Sequence, residues 1–258
     1  MASDHYVPQT YLRGFVDPQE EGSPEPLRVF TKLRHTWSRK STKSVCAFRG
    51  FETHSDPQIE SDLRKMLWAG ENSWPAVLAE LRKGDFGGWA AQLPLLINFM
   101  ALLSLRSPLF RLRFLAQSGS APSGLSDPAN QDAVSEAILR EAAALRSFLG
   151  RLSWALHVSR SRDLPVITSD HPLVMEDLNL TRRDLKTAQR DGGFALLLPI
   201  ARDCCLTGSD QAQPSSGPIE ITPTSALQLW QTTAQTALEV VISPAELDLD
   251  RLIRWGGF

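Results

Sequence analysis

The sequence predicts an α+β fold, in which a helical middle is joined by a small mixed sheet built from strands near both ends of the chain. Helical spacing of apolar residues dominates residues 57–159, whereas short apolar segments bounded by turn residues occupy the flanking parts. The chain has 258 residues, of which 42% are hydrophobic, and this suits one domain over 1–258. Serine, glycine and proline predict a flexible loop near residues 118–130.

Composition excludes several classes of protein. A net charge of −2 argues against binding nucleic acid over the whole surface, and three cysteines cannot form a disulfide framework. The longest apolar run, Leu93 to Leu105, is shorter than the ~18 residues expected of a membrane span. No basic-then-apolar signal segment opens the sequence. We therefore expect a cytoplasmic protein that does not contact a membrane.

The first ordered element is expected at residues 5–15, a stretch that mixes aromatic, polar and apolar side chains. Pro8 can occupy the first turn of a helix, and Gly14 stands where that helix would end. Gln9 and Arg13 are four residues apart, so they share one helix face. The pattern predicts a chain start that is docked on the body of the protein.

A basic segment follows. Leu27–Thr31 is predicted to form a strand that pairs with Ser44–Phe48. Between Arg28 and Arg49 the chain has five further cations and no acid, namely Lys32, Arg34, Arg39, Lys40 and Lys43, together with the aromatic residues His35 and Trp37. Such a hairpin could bind nucleic-acid phosphates and stack a base, or it could be a solvated hairpin with inward aromatics.

Three long helical regions are predicted next, over 57–83, 89–117 and 131–159. Pro75 should kink the first region or make the helix restart near Asn72-Ser73, and Ser107-Pro108 should bend or end the second. Glu60 and Glu71 are eleven residues apart, which is about 16 Å along a straight helix. Arg106 lies in the most apolar helix, where it either holds an internal carboxylate or presents its guanidinium to a phosphate.

The last third contains the predicted strands. A buried strand over 164–168 ends at Asp170, which could cap a turn, bind a metal or act as a base. The pattern then predicts a loop, two strands, a helix, a strand and a terminal helix, over 173–193, 194–199, 204–207, 223–236, 238–242 and 244–253.

The motifs together resemble a bacterial domain-of-unknown-function family, number 4238. They are the stretch from His5 to Phe15, Ile59-Glu60 with Glu71, Phe99 with Arg106-Ser107-Pro108, and Ile167 to Pro172. The resemblance covers nearly the whole chain, in the same order. In that family an aromatic is usual at the position of Thr10 and asparagine at that of His171. No established activity comes with the resemblance.

The residue types favour a metal-dependent phosphodiesterase, most simply a nuclease acting on DNA or RNA. His5 and Asp170, with Glu60 or Glu71, would hold Mg²⁺ or Mn²⁺ to activate water. Arg13 and Arg106 would neutralise phosphate charge, with Gln9 as a further candidate catalytic residue. One alternative is a non-catalytic nucleotide-binding, anion-binding or sensor module. Another is that these charged residues are internal ion pairs that fix helix packing.

Overall fold

The computed structural model describes residues 4–48, 54–119, 127–177, 194–210 and 217–249. The α+β class is confirmed. Within those residues the helices are α1 (Gln9–Leu12), α2 (Pro57–Arg82), α3 (Trp89–Arg106), α4 (Pro108–Gln117), α5 (Pro128–Leu149) and α6 (Pro223–Thr236).

The strands form three sheets. They are β1 (Asp4–His5), β2 (Leu27–Thr31), β3 (Thr36–Lys40), β4 (Ala47–Phe48), β5 (Ser153–Val158), β6 (Thr168–Ser169), β7 (Val174–Asp177), β8 (Phe194–Ala201), β9 (Cys204–Ser209), β10 (Ile219–Glu220) and β11 (Val240–Ser243). A four-stranded antiparallel sheet has the order β3-β2-β11-β6, so strands from both ends of the chain meet in it. A five-stranded sheet, β10-β5-β9-β8-β7, is mixed because β10 pairs parallel to β5. The third sheet is the short pair β1-β4.

The predicted hairpin has a different second strand. Leu27–Thr31 pairs with Thr36–Lys40, and the predicted partner 44–48 instead supplies β4, which pairs with Asp4–His5. The turn between β2 and β3 is short because His35 adopts the left-handed conformation, with φ of 51°.

Two predicted helices are shorter than expected. The region 131–159 is helical only to Leu149, and Ser153–Val158 forms a central strand of the five-stranded sheet. The terminal helix predicted at 244–253 does not include 244–248, and residues 250–253 lie outside the described residues. The strand predicted at 164–168 is reduced to Thr168–Ser169, and part of the predicted loop 173–193 is strand β7.

Helix α2 continues through Pro75, so it does not restart near Asn72-Ser73. Pro75 is on the exposed face, where the carbonyl that loses its helical partner can be hydrated. The buried face packs on α3: Trp74 stacks on Phe99 with ring centroids 4.0 Å apart, and a Cβ at Gly70 would lie 2.7 Å from Leu102. The break predicted at Ser107-Pro108 is confirmed, since Ser107 ends α3 and caps α4.

The opening motif lies where the helices and the two larger sheets meet. Tyr11 is fully buried, and its hydroxyl is 2.8 Å from Thr168 Oγ1 in one sheet and donates to the Pro199 carbonyl of the other, at 2.7 Å. Its ring also contacts Trp74 and Phe99 of α2 and α3. Helix α3 has the length and composition of a membrane span, but half of it is buried inside the fold, as in a core helix.

Candidate functional site

Three of the predicted site residues, His5, Glu71 and Arg106, form a largely buried group at the opening motif, whereas Glu60 lies at the start of α2. In the buried group, the Arg106 guanidinium donates to the Glu71 carboxylate and to the main-chain carbonyl of His5. Arg106 is 3% exposed and is positioned by the end of α3, while Glu71 comes from the middle of α2. The guanidinium thus ties two helices to the docked chain start, as the structural alternative predicts.

The side chains of the opening motif hold the segment before β4. His5 Nε2 lies 3.1 Å from the Lys43 carbonyl, and the Gln9 amide oxygen accepts from the Thr42 hydroxyl at 3.4 Å. Arg13, by contrast, is exposed to solvent. These three predicted catalytic residues therefore do not converge on one point.

The Asp170 carboxylate accepts hydrogen bonds from three main-chain amides. Its Oδ1 accepts from the amide of Leu238 at 2.9 Å, and its Oδ2 accepts from the amides of Glu239 and Val240 at 2.6 and 3.2 Å. These contacts fix the connection between α6 and β11. Burial raises the pKa of Asp170 although the three amides act in the opposite direction. Both carboxylate oxygens are occupied by main chain.

The four predicted metal ligands are thus not gathered around one metal ion. Because α2 is continuous, Glu60 and Glu71 remain about 16 Å apart along its axis. Glu71 pairs with Arg106, Asp170 accepts amides, and the His5 ring faces a carbonyl. Throughout the five described ranges, no group of three His, Cys, Asp or Glu side chains could hold a metal ion.

The basic hairpin uses several of its cations internally. Arg28 pairs with Asp17 and Glu246, Arg39 pairs with Glu20, and Lys32 donates to the carbonyls of Gln235 and Ala237. Arg34, Lys40 and Lys43 are exposed. Trp37 packs on Phe30 and donates to the Leu247 carbonyl, so its ring belongs to the inward arrangement left open above. In the described part of the segment, residues 28–48, three cations are exposed and the Trp37 ring is not free to stack a base; Arg49 lies outside the described residues.

Glu60 lines a cleft of about 450 Å³ at the start of α2. This is within the usual size range of small-molecule sites. Asp56 caps the helix by accepting from the Gln58 amide at 2.8 Å. The cleft is lined by His54, Pro57, Glu60, Ser61, Arg64, Lys65 and Trp68.

One guanidinium in this cleft is held in a defined direction. Arg64 Nε donates to Glu60 Oε1 at 3.1 Å, and Arg64 Cζ lies 5.9 Å from the centre of the Trp68 ring. The other oxygen of Glu60 accepts the main-chain amide of His54 at 3.2 Å. No hydrogen bond from the described residues occupies the two terminal nitrogens of Arg64. Trp68 is 49% exposed, and Lys65 adds a second cation.

Of the seven predicted site residues, only Glu60 belongs to this cleft. Sequence reasoning missed Arg64 and Trp68, although their spacing of four residues on α2 was visible. Trp68 also lies next to the apolar stripe of that helix and not on it, which indicates a large aromatic ring facing solvent. These two features were the available signals.

Comparison with known proteins agrees with the motif pattern. The model of the family described as protein of unknown function DUF4238 matches residues 4–244. Neither the curated proteins nor the solved structures gave a match. Since the family model covers nearly all of the chain, the chain belongs to the DUF4238 family.

Proposed function

We propose that the protein is a non-catalytic binding module for a nucleoside monophosphate, bound without a metal ion in the cleft at the start of α2. The observation that supports this most directly is the Arg64 guanidinium, oriented by Glu60 over the ring of Trp68, a side chain that is 49% exposed. A guanidinium held through Nε keeps its terminal nitrogens for a bidentate contact with a phosphate.

The aromatic and charged groups favour a particular ligand chemistry. An exposed indole offers a stacking surface for a base, and such stacking contributes about 1–3 kcal/mol. The two cations Arg64 and Lys65 are accompanied by the carboxylates of Glu60 and Asp62, to which they are paired. This balance suits a phosphate of low charge better than a triphosphate.

The nuclease predicted from the sequence has less support than this alternative. It needs carboxylate and imidazole ligands gathered around a divalent ion. The candidates His5, Glu71 and Asp170 each contact other groups of the protein. Cleavage of DNA or RNA by the purified protein with Mg²⁺ or Mn²⁺, abolished by His5→Ala, would favour the nuclease over the binding module.

Calorimetric titration tests the proposal. The four common nucleoside monophosphates and adenosine are titrated into the full chain in the presence of EDTA, and at least one monophosphate should bind more tightly than the nucleoside. Arg64→Met should weaken binding of that monophosphate about tenfold or more, because a charge-assisted contact is lost. Trp68→Ala should weaken both the nucleotide and the nucleoside.

A matched control is available on α5. Arg140 is exposed and pairs with Glu141 at 3.3 Å, outside the cleft, so Arg140→Met removes an equivalent charge without touching the site. Its binding should equal that of the unmodified protein. Absence of binding by every monophosphate at millimolar concentration, or equal losses in Arg64→Met and Arg140→Met, would refute the proposal.

A further inference from the structure

The cleft is joined to α5 by a carboxylate on that helix. Asp132 Oδ1 accepts the Ser55 amide at 2.8 Å, and its Oδ2 accepts the Ser55 hydroxyl. These bonds lower the pKa of Asp132, so the group is charged at neutral pH. Ser55 is next in sequence to His54, which lines the cleft. One side chain of α5 thus holds the chain that enters α2.

His54 provides a second contact with the same helix. Its side chain is 4% exposed, and Nε2 lies 3.6 Å from Glu136 Oε1 and 3.9 Å from Asp132 Oδ1. Because Nδ1 accepts the Asp56 amide at 2.8 Å, the neutral ring carries its proton on Nε2. The proton therefore faces the two carboxylates, which is the opposite of what a metal at Nε2 requires.

The main-chain amide of His54 links the contacts with α5 to the cleft. Its amide donates to one oxygen of Glu60, whose other oxygen accepts Arg64 Nε. We infer that Asp132 is a positioning residue that fixes the direction of the Arg64 guanidinium without touching the ligand. This inference rests on the proposed function, because it concerns the contact between Arg64 and the phosphate.

A positioning role predicts a selective effect on the two ligands. Asp132→Ala should weaken binding of the monophosphate about tenfold, since a guanidinium free to turn loses its bidentate geometry. Binding of adenosine should change less than twofold, because the hydrogen bonds that start at Asp132 end at Arg64, which touches the Trp68 ring without a hydrogen bond to it. A general loss of structure would weaken both ligands together.

The conservative variant should restore binding. Asp132→Asn keeps an oxygen for the Ser55 amide, and its NH₂ group can donate to the Ser55 hydroxyl oxygen. Its affinity for the monophosphate should stay within about threefold of the unmodified protein. Glu141→Ala is the matched control, as it removes a carboxylate from the same helix that pairs, among the described residues, with exposed Arg140 alone.

Hydrogen exchange measured by mass spectrometry makes the inference testable whatever the ligand. Asp132→Ala should speed exchange at the amides of residues 54–60 at least fivefold and leave α3 unchanged. If the unmodified protein binds no monophosphate, the proposed function fails, and unchanged exchange would also refute the connection. If it binds and Asp132→Ala binds equally well, or loses both ligands equally, the inference fails while the proposed function stands.

Discussion

Replacing Arg106 by methionine should destabilise the protein more than any other single loss of an ion pair described here. The side chain is 3% exposed, and its partner Glu71 is 22% exposed, so the pair is largely removed from water. Breaking a buried pair by removing one partner costs about 3–5 kcal/mol, because the other charge stays behind. The partial exposure of Glu71 reduces this cost, whereas the His5 carbonyl, left without its donor, adds about 1–3 kcal/mol.

We therefore expect Arg106→Met to lower the free energy of unfolding by about 3–5 kcal/mol. Urea unfolding followed by circular dichroism at 25 °C measures this quantity. Arg82→Met is the control, since Arg82 makes a two-bond pair with Asp203 in which both side chains are about one-third exposed. Because water reaches both side chains of this pair, the loss of Arg82 should cost less than the loss of Arg106, about 1 kcal/mol.

The double variant Arg106→Met/Glu71→Met completes the test. Removing both charges leaves neither one buried alone, so this variant should be more stable than Arg106→Met. The reasoning is refuted if Arg106→Met costs no more than Arg82→Met, or if adding Glu71→Met makes the protein less stable still.

Three further predictions concern buried polar groups. Asp170→Asn should lower the free energy of unfolding by about 2 kcal/mol or more, measured in urea, because its NH₂ group would face one of the amides of residues 238–240. A gain in stability would mean that removing the buried charge matters more than the lost hydrogen bonds. Burial, aided by Arg113, lowers the pKa of His171 from 6.5 to about 4, so the folded state is stabilised above pH 6.5 and loses this stability as the pH falls towards 4. His171→Asn should remove this pH dependence of stability. The free energy of unfolding of the unmodified protein, measured relative to that of the variant, should fall by roughly 2–3 kcal/mol between pH 7 and pH 4. Parallel plots of unfolding free energy against pH for the two proteins would argue against the effect. Trp154→Phe should cost about 1 kcal/mol more than Trp74→Phe. Of these two indoles, Trp154 donates from Nε1 to the Leu149 carbonyl, whereas Trp74 Nε1 has no hydrogen-bond partner among the described residues. Equal losses of stability in thermal or urea unfolding would contradict this.

Sequence reasoning located elements best where a capping residue and proline stand together. Helix α6 spans the predicted residues, and it begins where predicted because Thr222 caps it and Pro223 occupies its first turn. It failed at β5, where Leu149, Leu152 and Leu156 continue the helical spacing of α5. The same stretch alternates as a strand, and its burial alternates along Ser153–Val158. The helical and the strand period both fit this stretch, and it is the pairing with β9 in the folded protein that selects the strand.

Predicting the candidate site from the sequence would have required knowing which groups the polar side chains contact. Arg106 and Asp170 were recognised as polar residues that need partners in an apolar setting, and both have them. The partners could not be inferred, because Asp170 accepts main-chain amides almost 70 residues later in the chain, and any residue can supply an amide. A buried carboxylate with both oxygens occupied stabilises a connection, whereas a guanidinium with its terminal nitrogens left over can bind a ligand. By that criterion the opening motif holds the fold together, and Arg64, near the start of α2, is the residue that we propose for ligand recognition.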